Sequence, residues 1–131
     1  MRLPTALAKP HREFFSVDPH ATDAAWVAVP AAAGRIEERV LAGNLDPIAG
    51  TGSLTRLVRW APGTRIDQPV IHDFHEEVFI VAGDLVVGCD ADGQGGEIFG
   101  PYTFACRPPG IAHGPFATRE GCLMFEIQAY R

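Results

Sequence analysis

Cysteines, basic residues and long apolar runs are all scarce in this chain of 131 residues. The three cysteines form no C-x-x-C pair, and an odd number of scattered thiols predicts reduced cysteines that pack as small core residues. Lys and Arg number 11 against 16 Asp and Glu, and the resulting net charge of −5 argues against a nucleic-acid partner.

Segments that would direct the protein to a membrane are also missing. No apolar run approaches the roughly 20 residues that a membrane-spanning helix needs. The first ten residues are interrupted by Pro4 and Lys9 and do not resemble a signal peptide. We therefore expect a cytoplasmic protein with no membrane partner.

Several common catalytic motifs are absent as well. The sequence contains no nucleophile elbow, no phosphate-binding loop and no dinucleotide fingerprint, and its Asp-Gly and Gly-Gly pairs predict turns. A metal site is therefore the only chemistry that the motifs indicate.

What the chain does contain is a regular alternation of short strand-like runs and turn residues. Its 14 glycines and 11 prolines separate these runs, a rhythm typical of an all-β sandwich or barrel, and no convincing helix is predicted. We expect an irregular arm over residues 1–20 and one β-barrel domain over residues 21–131. The predicted strands are residues 26–29, 36–41, 54–60, 78–81, 85–89, 102–107 and 121–130.

Two segments carry histidines and a carboxylate in a pattern that suits a divalent metal. His72 and Glu76 lie in the first segment and His113 in the second. Neutral imidazole and carboxylate are suitable ligands for iron, manganese, zinc, nickel or copper. On one straight strand, His72 and Glu76 would be roughly 13 Å apart, too far to share a metal. Residues 73–75 must therefore reverse the chain, so that His72 ends one strand and Glu76 begins the next.

These segments resemble the two short motifs of the cupin superfamily, whose members are small β-barrels that hold a metal inside. The first motif is matched by Gly63, His72, Glu76 and Gly83. The second motif, Pro-x-Gly-x-x-His, is matched in part by Pro108-Pro109-Gly110-Ile111-Ala112-His113. The resemblance implies a small single-domain, RmlC-like cupin, with the double-stranded β-helix or jelly-roll barrel of that superfamily.

The chain departs from the family pattern at the first histidine, because Val70 occupies that position. Carried over residue by residue, the resemblance implies metal ligation by His72, Glu76 and His113. Two histidines and one carboxylate with open positions form a recognised site for non-haem Fe(II). Zn²⁺, Mn²⁺ and Ni²⁺ are alternatives, and so is a weakened site that no longer holds metal well.

Other polar side chains near these ligands are candidates for supporting roles. Gln68 and His75 are candidate substitutes for the missing histidine. We also assign His75 and Glu77 as candidate catalytic residues that move a proton. Their structural alternatives are a turn histidine and a rim carboxylate, since Glu77 must point away from Glu76 on a strand.

The barrel interior is expected to be largely apolar, which favours a small, enolisable, partly apolar substrate. The expected wall consists of Val70, Phe79, Val87, Phe104 and Phe125. Three arginines on predicted strands are candidates for binding a substrate carboxylate, with surface ion pairs as the default: Arg56, Arg59 and Arg107.

Small cupins that resemble this chain include dioxygenases of β-diketones and of hydroxylated aromatic ketones. The resemblance thus implies a non-haem Fe(II) dioxygenase that cleaves a C–C bond in a small ketone-type substrate. One alternative is a redox-neutral isomerase, lyase, decarboxylase or cyclase. Another is a non-catalytic metal- or ligand-binding cupin, because the C-terminal part also resembles the cupin modules of zinc-binding anti-sigma factors. In that case regulation would need a separate partner, since no helical domain is predicted.

We also expect a homodimer. This expectation rests on the dimeric state that is common among proteins of the resembled family. It also rests on the apolar, strand-like ends around Trp26 and Tyr130, whose edges would be exposed in a monomer.

Overall fold

The structure, a computed structural model, describes residues 8–21 and 25–130. Within these ranges it contains ten strands and one short 3-10 turn, Ala31–Gly34, so the all-β prediction is confirmed. The strands are β1 Val27–Ala28, β2 Ile36–Gly43, β3 Ser53–Trp60, β4 Arg65–Ile66, β5 His75–Gly83, β6 Leu85–Val87, β7 Glu97–Phe99, β8 Phe104–Arg107, β9 Phe116–Ala117 and β10 Cys122–Ala129.

The strands form two antiparallel sheets. Six strands pair in the order β1-β2-β3-β10-β5-β8, and four pair in the order β4-β9-β6-β7. Val78 and Met124 of the larger sheet pack in one buried cluster with Leu85 and Phe116 of the smaller sheet. The core therefore lies between the two sheets, as the resemblance to the barrel proteins implies.

Alternation along the central strands decides which side chains enter the space between the sheets. On β5, Glu76 and Val78 are buried, whereas Glu77 is exposed. On β10, Glu126 and Gln128 are buried with Met124. Because successive side chains of a strand point to opposite faces, these polar groups share the inner face with the apolar core.

Cross-strand register places the inner polar groups next to each other. Gln128 of β10 lies opposite Glu76 of β5, and Arg107 of β8 lies opposite Glu76 on the other side. Arg56 of β3 lies opposite Glu126 of β10. Directly opposed side chains interact strongly, so one row of charges and amides crosses four neighbouring strands.

The turn after β5 explains a glycine of the first motif. Gly83 has a φ of +84°, a backbone conformation that glycine adopts without strain. A Cβ at this position would collide with the carbonyl oxygen of Gly121 in the turn before β10. Glycine is therefore required here by both conformation and space.

The described part of the N-terminal arm contains no strand and lies along the outside of the larger sheet. Arg12 donates a hydrogen bond of 3.0 Å to the carbonyl oxygen of Leu41 in β2. Arg59 of β3 donates one of 2.8 Å to the carbonyl oxygen of Pro19. The arm is thus joined to the barrel by hydrogen bonds from arginines, and the boundary at residue 20 stays a prediction.

The three cysteines are free thiols, but they do not share one environment. Cys89 and Cys122 are buried, as expected for small core residues, whereas Cys106 on β8 is exposed. Cys106 alternates on β8 with Arg107, which lines the cavity between the sheets, so it lies on the outer face of the larger sheet. The core interpretation is therefore wrong for Cys106.

Trp26 and Tyr130 themselves are covered, whereas β1 beside Trp26 is an edge strand with Val27 59% exposed. Trp26 is only 7% exposed, and the guanidinium group of Arg59 lies 4.1 Å from its ring centroid. Tyr130 is half-buried, and its hydroxyl donates a hydrogen bond to Asp73. The homodimer stays a prediction.

No helix among the described residues is long and apolar enough to cross a membrane.

Candidate metal centre

His72, Glu76 and His113 converge inside the barrel. Their potential ligand atoms all lie within 4.8 Å of one another. His72 Nε2 is 3.7 Å from Glu76 Oε2, and His113 Nε2 is 3.5 Å from Glu76 Oε1. The sequence motifs thus identified three side chains that the fold brings together, although metal ligation by them stays a proposal.

A backbone bridge and a bend bring these side chains together. Val70 and His113 exchange hydrogen bonds of 2.7 and 2.9 Å in an isolated antiparallel bridge. The chain then bends at residues 73–74 and enters β5 at His75. The expected reversal is a bend instead: His75 already belongs to β5, no described strand ends at His72, and the pairs Val70–His113 and Glu76–Arg107 keep one antiparallel register across the bend.

The carboxylate of Glu76 is held by two donors. Gln128 Nε2 donates a hydrogen bond of 2.9 Å to Oε2, and Arg107 lies 3.3 Å from Oε1. Glu76 is 5% exposed, and an unsatisfied buried polar group costs roughly 1–3 kcal/mol. These two donors therefore stabilise the carboxylate in an orientation that directs one oxygen to each histidine.

The two histidines present Nε2 to the carboxylate. His113 Nδ1 lies 3.2 Å from the carbonyl oxygen of Ile111, and donation of its proton there leaves Nε2 as a lone-pair ligand. Burial lowers the pKa of His72 and outweighs the opposing charge of Glu76. The His72 ring is therefore suited to the neutral form that binds metal.

The three side chains fit a divalent ion. Ligand bonds of about 2 Å at tetrahedral or octahedral angles separate neighbouring ligand atoms by roughly 3–3.5 Å. The His–Glu separations of 3.5 and 3.7 Å are close to this range, whereas the separation of the two imidazole nitrogens, bounded by 4.8 Å, could require the rings to move together on binding. Val70 lines the same cavity and offers no ligand, so one position of a tetrahedral ion or three positions of an octahedral ion would stay open.

A cavity of about 250 Å³ adjoins the three residues. Its apolar wall is formed by Val58, Trp60, Val70, Leu85, Phe116 and Met124, among others. The sequence-based list of wall residues was correct for Val70 and wrong for Phe79 and Phe125, which do not line the cavity. Both phenylalanines have the parity of the outer face, because Glu76 and Glu126 point inward.

Two of the three candidate arginines reach the cavity. Arg56 and Arg107 line it, whereas Arg59 points outward and contacts Glu37 at 3.0 Å. Arg56 is held by two carboxylates: Nε and Nη2 donate hydrogen bonds of 3.0 and 2.8 Å to Glu126 Oε1, and Nη1 donates one to Glu38. Burial opposes ionisation of Arg56, but the two carboxylates prevail and raise its pKa.

Glu126 is a second buried carboxylate in this cavity, and sequence reasoning missed it. Burial raises its pKa more than Arg56 lowers it, and the charge of Glu76 adds to the increase. The signal in the sequence was the alternation of β10, in which Met124, Glu126 and Gln128 share one face. The sequence analysis instead placed Phe125, on the opposite face of β10, in the cavity wall.

A second cavity of about 240 Å³ lies between the edges of the two sheets. Val78, Leu85 and Arg107 line both cavities, so the Arg107 side chain forms part of the wall between them. Val87 and Phe104, which were expected in the metal-containing cavity, line this second one. Its wall is otherwise apolar apart from Thr103.

The other candidate residues from the motifs lie outside the cavity. His75 and Glu77 are exposed on the outer face of β5, and Gln68 is exposed in the segment before Val70. None of these three side chains lines the cavity. The structure thus provides no contact through which they would bind the metal or transfer a proton to a ligand of it.

One family model matches almost the whole chain. The model described as ChrR Cupin-like domain covers residues 17–129. None of the curated proteins matches the chain by sequence.

Solved structures with similar folds include several cupins. An RmlC-like cupin from Shewanella frigidimarina has 14% identity and a TM-score of 0.62, with 92% of this chain and 93% of that chain covered. An acetylacetone dioxygenase from Acinetobacter johnsonii has 19% identity and a TM-score of 0.62, with 92% and 75% covered. The polyketide cyclase RemF from Streptomyces resistomycificus has 22% identity and a TM-score of 0.54, with 76% and 68% covered. At these identities the likeness establishes the fold alone.

Proposed function

This chain belongs to the family of ChrR cupin-like domains, and we propose that it is a metal-dependent enzyme. The activity that we propose is that of a non-haem Fe(II) dioxygenase. Its substrate would be a small enolisable or aromatic ketone in which a C–C bond is cleaved.

The observation that carries this proposal is the convergence of two imidazoles and one carboxylate in an apolar cavity. This ligand set with open positions is characteristic of Fe(II) sites in oxygenases. His72, Glu76 and His113 would hold the ion. When bound, Fe(II) supplies Lewis acidity and the capacity to activate dioxygen.

The protein's own side chains bind and orient the substrate. At about 250 Å³ the cavity lies just below the usual range for ligand pockets, which favours a small substrate. Trp60, Phe116 and Met124 provide apolar contacts and exclude water. Gln128 and Arg107 keep the Glu76 carboxylate in place.

A similar fold occurs in a protein whose name states this kind of reaction, the acetylacetone dioxygenase described above. Acetylacetone is a small β-diketone, and its size and polarity suit this cavity. The likeness supports the choice of acetylacetone as a first substrate to test.

Oxygen uptake tests the proposal directly. The protein is loaded with Fe(II) without oxygen, mixed with acetylacetone and then exposed to dissolved oxygen in an electrode chamber. We expect uptake of oxygen that requires both Fe(II) and the β-diketone, and no uptake by zinc-loaded protein or by His113→Ala. Failure of the Fe(II) protein to consume oxygen with a panel of β-diketones and hydroxylated aryl ketones would contradict the dioxygenase activity.

A redox-neutral reaction is the second candidate, and the buried Glu126 favours it. A carboxylate that lines the cavity is able to move a proton in an isomerase, lyase or cyclase reaction. The polyketide cyclase RemF shares the fold. Turnover of a ketone substrate by zinc-loaded protein without oxygen would favour this candidate. Tight binding of zinc with no turnover would favour a non-catalytic binding module instead.

A further inference from the structure

Glu126 has one oxygen that is bonded and one that is not. Oε1 accepts both hydrogen bonds from Arg56, at 2.8 and 3.0 Å. Among the described residues, no donor lies within hydrogen-bond distance of Oε2, although the side chain is only 8% exposed. Oε2 is not among the described side-chain atoms that are both fully buried and without a hydrogen-bond partner, so part of its surface is accessible. Glu126 also lines the cavity. This oxygen is therefore open to a ligand in the cavity.

Before an ion binds, the charges around Glu126 leave an excess of negative charge, which a divalent ion held by His72, Glu76 and His113 would offset. Arg56 of β3, Glu38 of β2, Glu76 of β5 and Arg107 of β8 are the charged groups nearest to it in the row of inner side chains. Three carboxylates thus face two guanidinium groups. Arg56 is shared between Glu38 and Glu126, so it neutralises neither of them completely.

A buried carboxylate without full compensation favours binding a proton or a hydrogen-bond donor. Burial raises the pKa of the Glu126 carboxyl group, so its carboxylate is a stronger base. A stronger base accepts a proton more readily from a weakly acidic C–H or O–H group of a ligand. The ion pair with Arg56 fixes the carboxyl group in position, because both hydrogen bonds engage the same oxygen.

We propose that Glu126 is the proton-accepting group of the cavity, and that the ligand is a weak acid such as an enolisable β-dicarbonyl compound or a phenol. In the step, the ligand's C–H or O–H bond breaks and an O–H bond forms at Glu126 Oε2. The ligand retains the electron pair as an enolate or phenolate. Its new negative charge is balanced by the divalent ion in the site of His72, Glu76 and His113. The inference rests on the proposed function to the extent that it assumes this ion.

Glu126 is suited to this step by position as well as by charge. It shares the cavity with all three candidate ligands, whereas Glu77 lies on the outer face of β5. A ligand between the metal site and Glu126 would have its acidic hydrogen directed away from the ion.

Proton counting by calorimetry tests the proposal. Zinc-loaded protein is titrated with acetylacetone at pH 7.5 in two buffers of different ionisation enthalpy, because zinc prevents oxidation and isolates binding. Wild-type protein should release close to no protons, since Glu126 takes the proton of the diketone. Glu126→Gln should release about one proton per ligand bound. Glu38→Gln is the matched control, because it removes the other carboxylate on Arg56 and should release no more protons than wild type.

Infrared difference spectroscopy on wild-type protein provides a second measurement that does not depend on how well the variant folds. Binding of acetylacetone should produce the band of a protonated carboxyl group. Equal proton release by wild type and Glu126→Gln, or no such band in wild type, would overturn the role of Glu126 while leaving the metal site intact. Absence of binding heat in both proteins would instead reject the proposed substrate class, and this inference with it.

Discussion

The ring of Phe74 is stacked on the ring of His72, with centroids 4.4 Å apart and planes inclined by 15°. Phe74 also meets the ring of Tyr130 edge-on at 5.6 Å, and the Tyr130 hydroxyl donates a hydrogen bond of 2.7 Å to Asp73. The bend that carries His72 is thereby joined to the end of β10. Aromatic packing therefore sets the orientation of this candidate ligand.

Removing this packing should weaken metal binding. We expect Phe74→Ala to lower the affinity roughly 10-fold, since groups that orient a ligand typically contribute 10–100-fold. Competition with a coloured chelator measures the affinity. Phe14→Ala, which truncates an exposed ring on the arm, should leave it unchanged. Equal affinities for Phe74→Ala and wild type would show that the stacked ring does not hold His72.

Restoring the histidine that the family pattern has at position 70 should strengthen metal binding. Val70 lines the cavity and is paired with His113 through the backbone, so an imidazole at 70 would lie beside the other ligands. Val70→His should retain more metal after dialysis against a chelator, as measured by elemental analysis. Ile71→His places the imidazole on an exposed neighbour, which is 64% exposed, and should give no gain. A similar gain in both variants would indicate non-specific binding.

Loss of one candidate ligand should abolish the effect of metal on stability. Wild-type protein should melt at a higher temperature with Zn²⁺ than with chelator, because binding to the folded state stabilises it. His113→Ala should show no such difference, whereas His20→Ala, in the exposed arm, should retain it. Differential scanning fluorimetry measures both. A full metal-dependent increase in His113→Ala would exclude His113 as a ligand.

Two residues that the sequence suggested for catalysis should be dispensable for metal binding. His75 and Glu77 lie on the outer face of β5. We therefore expect His75→Ala and Glu77→Gln to bind metal and acetylacetone with wild-type affinity in calorimetric titrations. A tenfold loss in either variant would mean that this segment rearranges when the site is loaded.

The thiols should differ in reactivity and in their dependence on pH. A thiol reagent should modify one cysteine of the native protein, the exposed Cys106, and all three after denaturation.

Burial, with the charges of Asp84 and Glu126, raises the pKa of Cys122 to about 12 from an ordinary value of 9.0. The neutral thiol therefore favours the folded state below pH 9.0, and this contribution is lost as pH rises towards about 12. Cys122→Ala should show a shallower loss of unfolding free energy above pH 9.0 in denaturant titrations.

The longer strands could be predicted from the sequence because each has enough apolar and β-branched residues to stand out. β3 and β10 match the expected segments closely. β4, β7 and β9 were missed, since they contain two or three residues each and are defined by their pairing partners. Such pairing depends on the arrangement of distant segments, which composition does not report.

The candidate ligands were predictable because the motif spacing constrains them, but the rest of the cavity was not. On β10 the polar Glu126 and Gln128 face inward, while Leu123 and Phe125 face outward. This reverses the usual rule that apolar residues of an alternating strand face the core. The reversal occurs where the barrel holds a polar row, so the alternation along β10 does not by itself show that Glu126 and Gln128 face inward.

Arg107 forms part of the boundary between the two cavities, which Val78 and Leu85 also line. Arg107 contacts Glu76 by one ion pair of 3.3 Å, and its guanidinium group lies 5.5 Å from the Phe116 ring. The cavities of about 250 and 240 Å³ are thus divided in part by the Arg107 side chain, which a single change of rotamer would move. A single substitution at position 107 would therefore change the size of substrate that the barrel accepts. A residue shorter than Arg107 would leave room for an elongated apolar tail to extend from one cavity into the other without any change to the strands.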